Sequence, residues 1–192
     1  MFEDEAHLSG ATFLNNLRAF EARFGHSAVQ RALARLPQDR RDEYEAAVPV
    51  AWVRASTADL IYGAIAEEAG EDLFAIYPGV VEQAMDNILR TLWRSMAPPA
   101  NDEALVTRAA QFYAKGHDCG RVTAKLLAAG HALLELHEWP DASELRLLGI
   151  ASATTAILAH GGRQHITVQR RRTEDGAAFD VRWKHESAPG RA

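Results

Sequence analysis

The stretch that decides the fold is Arg121-Val122-Thr123-Ala124-Lys125-Leu126, then Leu127-Ala128-Ala129-Gly130, then Leu133-Leu134-Glu135-Leu136-His137-Glu138-Trp139. The first six residues alternate polar and apolar, which is the period of a strand with one face buried. Ala129-Gly130 supplies a turn, and Leu133 to Trp139 reads as the returning strand of a hairpin. Downstream, Pro140 opens a helix carrying Leu145, Leu148, Ile150, Ile157 and Leu158, which ends near Gly161-Gly162. A second hairpin follows, from His165 to Thr173 and from Ala177 to His185, joined by Glu174-Asp175-Gly176. Asp-Gly suits a tight hairpin turn because glycine tolerates a positive φ.

Upstream of Arg121 the period is helical. Phe13, Leu14, Leu17, Phe20 and Phe24 form one stripe of a helix from about Gly10 to Phe24, and Gly25 stops it. Ser27, with Gln30 three residues on, has the form of a capping box for a second helix that Pro37 ends. A third piece covers Arg40 to Ala47, and Val50-Ala51-Trp52-Val53 is either an extended linker or a buried turn. Ser56 or Thr57 caps the next helix, which stops at Gly70. A long helix from Glu71 to Met96, with Pro78-Gly79 interrupting or kinking its start, carries Ile76, Val80, Met85, Ile88, Leu89, Leu92 and Trp93. After Pro98-Pro99, Asn101 caps a helix to about Ala114. The class is therefore α+β: an N-terminal helical bundle followed by a four-stranded antiparallel sheet in ββαββ order. Residues 1–185 are expected to form a single domain and 186–192 a disordered tail.

Composition agrees with a packed body. The chain has 192 residues, 47% hydrophobic and 24% charged, within the ordinary range of a globular domain. The acidic opening Met1-Phe2-Glu3-Asp4-Glu5 lacks the basic and apolar parts of a secretory signal. No apolar run is long enough to span a bilayer, and the single cysteine, Cys119, excludes an internal disulfide. A cytoplasmic protein is expected.

The net charge of −5 is unevenly spread. Residues 163–185 hold Arg163, Arg170, Arg171, Arg172, Arg182 and Lys184 against Glu174, Asp175 and Asp180, a local +3 that leaves −8 elsewhere. That balance argues against a general nucleic-acid binder. Strand alternation puts Val122, Ala124, Leu126, Ile166, Val168, Phe179, Val181 and Trp183 on the buried face. Arg121, Thr123, Lys125, Thr167, Gln169, Arg171, Arg182 and Lys184 fall on the other. Arg121, Lys125, Arg171, Arg182 and Lys184 thus form a candidate partner-binding basic face. Arg171 points opposite to Arg170 and Arg172, so the arginine run is not one patch and also reads as gatekeeper charge at a strand end.

Catalytic chemistry finds little support. His117-Asp118-Cys119 is the most reactive-looking triplet, but a structural zinc site needs four ligands and there is no second cysteine. A nucleophilic Cys119 would need a base and an oxyanion site, and a loop leading into the first strand accounts for the triplet. No phosphate-binding glycine loop occurs. Glu67, Glu68, Glu71 and Asp72 bracket Gly70 at helix ends, where carboxylates favour the dipole. Trp93, Leu89, Phe112, Tyr113 and Trp139 are candidates to line an apolar pocket between helices and sheet.

Several features, taken in order, resemble a family of uncharacterised proteins of about this length found mainly in myxobacteria. These are Gly10-x-x-Phe13-Leu14, the paired helices around Gly25, the Leu73-to-Trp93 helix with Pro78-Gly79, the Gly120-to-Trp139 hairpin, Leu148-Gly149 and Phe179-x-Val181-x-Trp183. At fold level the order of elements is similar to haem nitric-oxide-binding domains, 4-vinyl-reductase domains and TRAPP trafficking subunits. That resemblance implies a pocket for haem, a small molecule or a lipid chain. It also implies, for haem, a histidine on the helix before the sheet and a Tyr-x-Ser-x-Arg run. The Asn101–Ala114 helix has no histidine, His117 lies just after it, and Tyr-x-Ser-x-Arg is absent. The sequence therefore points to no cofactor and disfavours haem.

The expectation is a non-enzymatic intracellular module with a protein partner, acting as an adaptor and as a homodimer. The alternative is a sensor of a small molecule or lipid with an apolar pocket.

Overall fold

The structure, a computed structural model, describes residues 5–95 and 101–185. The expected tail at 186–192 and the break at Pro98-Pro99 lie outside them. The elements in chain order are β1 (His7–Ser9), α1 (Gly10–Phe24), α2 (His26–Ala34), α3 (Gln38–Glu45), β2 (Trp52–Arg54), α4 (Ala55–Glu68), α5 (Leu73–Ser95), α6 (Asp102–Gly116), β3 (Arg121–Ala128), β4 (His131–His137), α7 (Glu144–His160), β5 (Arg163–Arg172) and β6 (Ala177–His185). The class is α+β, with seven helices among the described residues, mainly N-terminal, and a four-stranded antiparallel sheet.

By its contacts the chain divides into two compact units. The first comprises residues 1–84 and 114–119, the second 85–113 and 120–192. In the first unit Ser9 caps α1, its Oγ accepting the Thr12 N–H at 3.3 Å. The apolar stripe of α1 then buries Phe13, Leu17 and Phe20. Phe13, Phe20, Tyr62 and Tyr77 form a chain of ring contacts with centroids 5.2–6.1 Å apart. Such offset pairs add about 0.5–1.5 kcal/mol each beyond area burial.

Three sequence expectations are corrected in this unit and a fourth is narrowed. Val50–Val53 is neither linker nor buried turn. Val50 is exposed, while Trp52–Arg54 form a strand paired antiparallel with β1. Ser27 is not a cap, because α2 begins at His26 and its N-cap is Gly25, with no side-chain cap bond. Neither Ser56 nor Thr57 caps α4, which starts at Ala55. Thr57 is buried, and its hydroxyl bonds Glu43 and Arg40 instead. Of the two alternatives at Pro78-Gly79, interruption or kink, the first is excluded, because Pro78 sits inside an unbroken α5. In the second turn it removes one bond, to the carbonyl of the exposed Phe74, which water can serve.

The second unit holds the sheet, ordered β3-β4-β6-β5 with every neighbouring pair antiparallel. Asn101 caps α6 as expected, accepting the Ala104 N–H at 2.9 Å. Ser143, not Pro140, starts α7, accepting the Arg146 N–H at 3.2 Å. Strand β4 alternates half-buried and buried at every residue. Its buried set, Ala132, Leu134 and Leu136, joins Phe179, Val181 and Trp183 of β6. Leu145, Ile150, Ile157 and Leu158 of α7 are buried in the same unit. Asp175-Gly176 makes the β5–β6 turn, as read from the sequence. The Asp175 carboxylate and carbonyl also accept the N–H groups of Glu138 and Trp139, at 2.9 and 3.0 Å.

Candidate functional site

Both candidate sites from the sequence fall in the second unit. Of the apolar set, Leu89 is fully buried, Tyr113 and Trp139 are buried, and Phe112 is half-buried. Trp93 lies on α5, with its side chain outside the described residues. At Gly120 (φ +67°) a Cβ would come within 2.8 Å of the Tyr113 hydroxyl, so only glycine lets the chain turn into β3 against that ring.

The register settles the polar face. Directly paired residues of an antiparallel ladder point the same way. Arg121 pairs with His137, Lys125 with Leu133, Leu133 with Asp180, Asp180 with Gln169, and Arg171 with Ala178. Arg182 pairs with both His131 and Thr167, and Lys184 with Gln164. All five predicted cations therefore share the sheet face opposite the core. Arg182 donates to Asp180 at 2.8 Å, and His131 Nε2 lies 2.8 Å from the same carboxylate. These contacts hold the Asp180 carboxyl below its ordinary range, Arg182 contributing most. Arg121 reaches Glu138 at 3.5 Å. Arg170 and Arg172 point the other way, as alternation requires, and both pair with Glu144 at the start of α7. Arg172 also donates to the carbonyls of Pro140 and Ala142.

The reactive-looking triplet serves the first unit. Asp118 accepts the His7 N–H at 2.7 Å and sits 2.8 Å from His7 Nδ1. His117 bridges Leu8 of β1. The triplet is thus tied to a strand that sequence reading missed. Among the described residues no group of three His, Cys, Asp or Glu side chains is placed to hold a metal ion. No helix among them is long and apolar enough to cross a membrane.

Three further polar constellations escaped the sequence. Arg163 of β5 binds Asp102 of α6 through Nε at 2.9 Å and an Nη at 2.6 Å, both side chains nearly buried. Glu43 gathers Arg54 and Thr57. Thr123 Oγ1, His137 and Asp175 form a hydrogen-bonded row, 3.0 Å from Thr123 to Nε2 and 3.2 Å from Nδ1 to Asp175. Partners 61, 11 and 38 residues apart leave no local signature.

No protein-family model matches the chain, and no characterised protein matches it by sequence. Solved structures do match. An oxygen-binding H-NOX domain related to soluble guanylate cyclases, in its oxygen complex, aligns with TM-score 0.67 and 13% identity, covering 95% of this chain and 100% of that one. The Fe(II) unliganded H-NOX protein from K. algicida gives TM-score 0.68 at 9% identity, covering 95% and 100%. A mutant of T. tengcongensis H-NOX gives 0.67 at 15%, covering 92% and 98%. The fold is that of H-NOX domains. The fold-level resemblance to haem nitric-oxide-binding domains is the part of the sequence reading that these comparisons support.

They also correct the cofactor expectation. H-NOX structures of this same fold include an Fe(II) protein and an oxygen complex, so two absent motifs are not grounds for expecting no cofactor. The residues nonetheless do not reproduce the ligand set that the resemblance implies. Helix α6 carries no histidine, Tyr-x-Ser-x-Arg is absent, and the nearest imidazole in the chain, His117, follows α6 directly and is half-buried.

Proposed function

We propose that this chain is a small-molecule-sensing domain of the H-NOX fold, working in signalling rather than in catalysis. The observation that carries the reading is the fold correspondence over nearly the full length of both chains. It favours the sensing alternative over the plain adaptor expected first. A binding domain needs a folded body whose stability rises when its ligand is held. Ligand at a hundred times its Kd stabilises by about 2.7 kcal/mol.

The test is native mass spectrometry of the purified protein, followed by titration with hemin and then carbon monoxide under reducing conditions. Either a mass in excess of a whole multiple of the 21.1 kDa chain, or a stoichiometric Soret band that moves with carbon monoxide and a raised Tm, supports the reading. A bare mass together with no Soret band and no hemin-dependent rise in Tm overturns it.

A further inference from the structure

We propose that the outer face of the four-stranded sheet docks the acidic helical unit of a second copy of this chain. The face is set by the ladder register, independently of any ligand reading. Arg182 is taken up by Asp180 and Arg121 by Glu138. Lys125, Arg171 and Lys184 are exposed and have no ion pair among the described residues. Lys125 on β3 and Arg171 on β5 stand at opposite edges, about 14 Å apart across the sheet and about 7 Å apart along it, and Lys184 lies about 20 Å along β6 from the row of Arg171. Charges spread that widely suit a broad surface and not a single phosphate. Leu127, 45% exposed at the end of β3, and the half-buried Leu133 supply apolar area beside them.

Charge complementarity selects the occupant. The first unit contains 8 Lys and Arg against 15 Asp and Glu, a net −7, whereas the second has 13 against 11, a net +2. In the first unit Glu67, Glu71 and Asp72 are exposed where α4 gives way to α5, and Phe74, 51% exposed, stands beside them. An aromatic side chain rimmed by carboxylates is the complement of an apolar strand end rimmed by cations. A polynucleotide fits less well. The whole chain is −5, against a long polyanion, whereas Glu135 and Asp180 on the face oppose phosphate and carboxylate alike. Because each copy carries both surfaces, the contact closes as a reciprocal pair or a ring, or grows, as the rotation dictates.

The test is sedimentation velocity of the full chain over a concentration series. In low salt the average mass should rise with concentration. In about 1 M salt, where the Debye length is about 3 Å, it should fall to the monomer. The exposed-site triple variant Lys125→Glu, Arg171→Glu, Lys184→Glu should keep the far-UV spectrum and weaken self-association at least about tenfold. Lys→Gln and Arg→Gln at the same positions should give a smaller loss. Glu67→Lys with Glu71→Lys should also weaken it, and mixing the two charge-reversed proteins should restore association. A monomer at every concentration in low salt overturns the proposal. So does association that survives reversal of the sheet face, or an oligonucleotide that binds that face more tightly than the chain binds itself.

Discussion

At the scale of single residues, the structure's strongest commitments are charges held away from water by several donors at once. Glu43 accepts from the Arg54 N–H at 2.7 Å, from Arg54 Nε at 2.9 Å and from the Thr57 hydroxyl at 2.5 Å. Partial burial pushes its carboxyl upward, but the bonds from Arg54 and Thr57 outweigh that and leave its pKa below the ordinary value. A carboxylate with a depressed folded pKa stabilises fully above its unfolded pKa and loses that contribution as pH falls through the folded value. Glu43→Gln should therefore cost about 1–3 kcal/mol at pH 7. The gap to wild type should narrow progressively below about pH 4.5, where the carboxyl of the unfolded chain protonates while the folded one, its pKa lowered, still holds its charge. Urea denaturation midpoints of both proteins at pH 7 and pH 4 measure this. An unchanged gap would mean that the shape of the side chain, not its charge, carries the effect. None of this was legible in the sequence, because Glu43 and Arg54 sit either side of an apolar stretch that reads as a linker. The same limit hid Asp102 and Arg163, whereas the alternation that sends Arg171 one way and Arg170 and Arg172 the other needed only strand geometry.

At the scale of elements, legibility followed length. The two hairpins stand where alternation and Asp175-Gly176 placed them, since seven to ten residues of period two leave little freedom. The three-residue strands β1 and β2 carry no readable period, and their pairing is settled by what surrounds them. Gly10 is part of that setting. Its N–H donates to the Ala51 carbonyl at 2.7 Å, and a Cβ at this position would stand 2.0 Å from the Val48 carbonyl oxygen. The glycine that opens the apolar stripe of α1 thus lets the 48–51 segment lie against the helix start and deliver β2 to β1. Gly10→Ala cannot be absorbed by a side-chain rotation, because the obstacle is backbone. It should destabilise by about 1–3 kcal/mol or more and speed amide exchange at Leu8 and Val53, which thermal melts and hydrogen-exchange mass spectrometry would show. A Tm within a degree of wild type would mean that the segment yields freely.

At the scale of the whole molecule, the sequence led to one domain, and the contacts cluster the chain into two compact units, each with its own buried aromatic or strand-borne core. No break in helical period marks the division, because α5 and α6 each run from one unit into the other. The division can be tested because the optical probes are unevenly shared. The buried indoles Trp139 and Trp183 belong to the second unit, whereas the first is mostly helix and holds the half-exposed Trp52. Phe20→Ala removes a fully buried ring from the first unit, and Phe179→Ala does the same in the second. Each truncation should cost about 3–5 kcal/mol locally. If the units unfold as separate cooperative bodies, Phe20→Ala should lower the urea midpoint seen by far-UV circular dichroism more than the midpoint seen by tryptophan emission, and Phe179→Ala should do the reverse. Coincident midpoints by both probes in both variants would show a single cooperative body. In that case a ligand bound anywhere in the chain would stabilise all of it at once, and the sensing reading would then need no further coupling between the units.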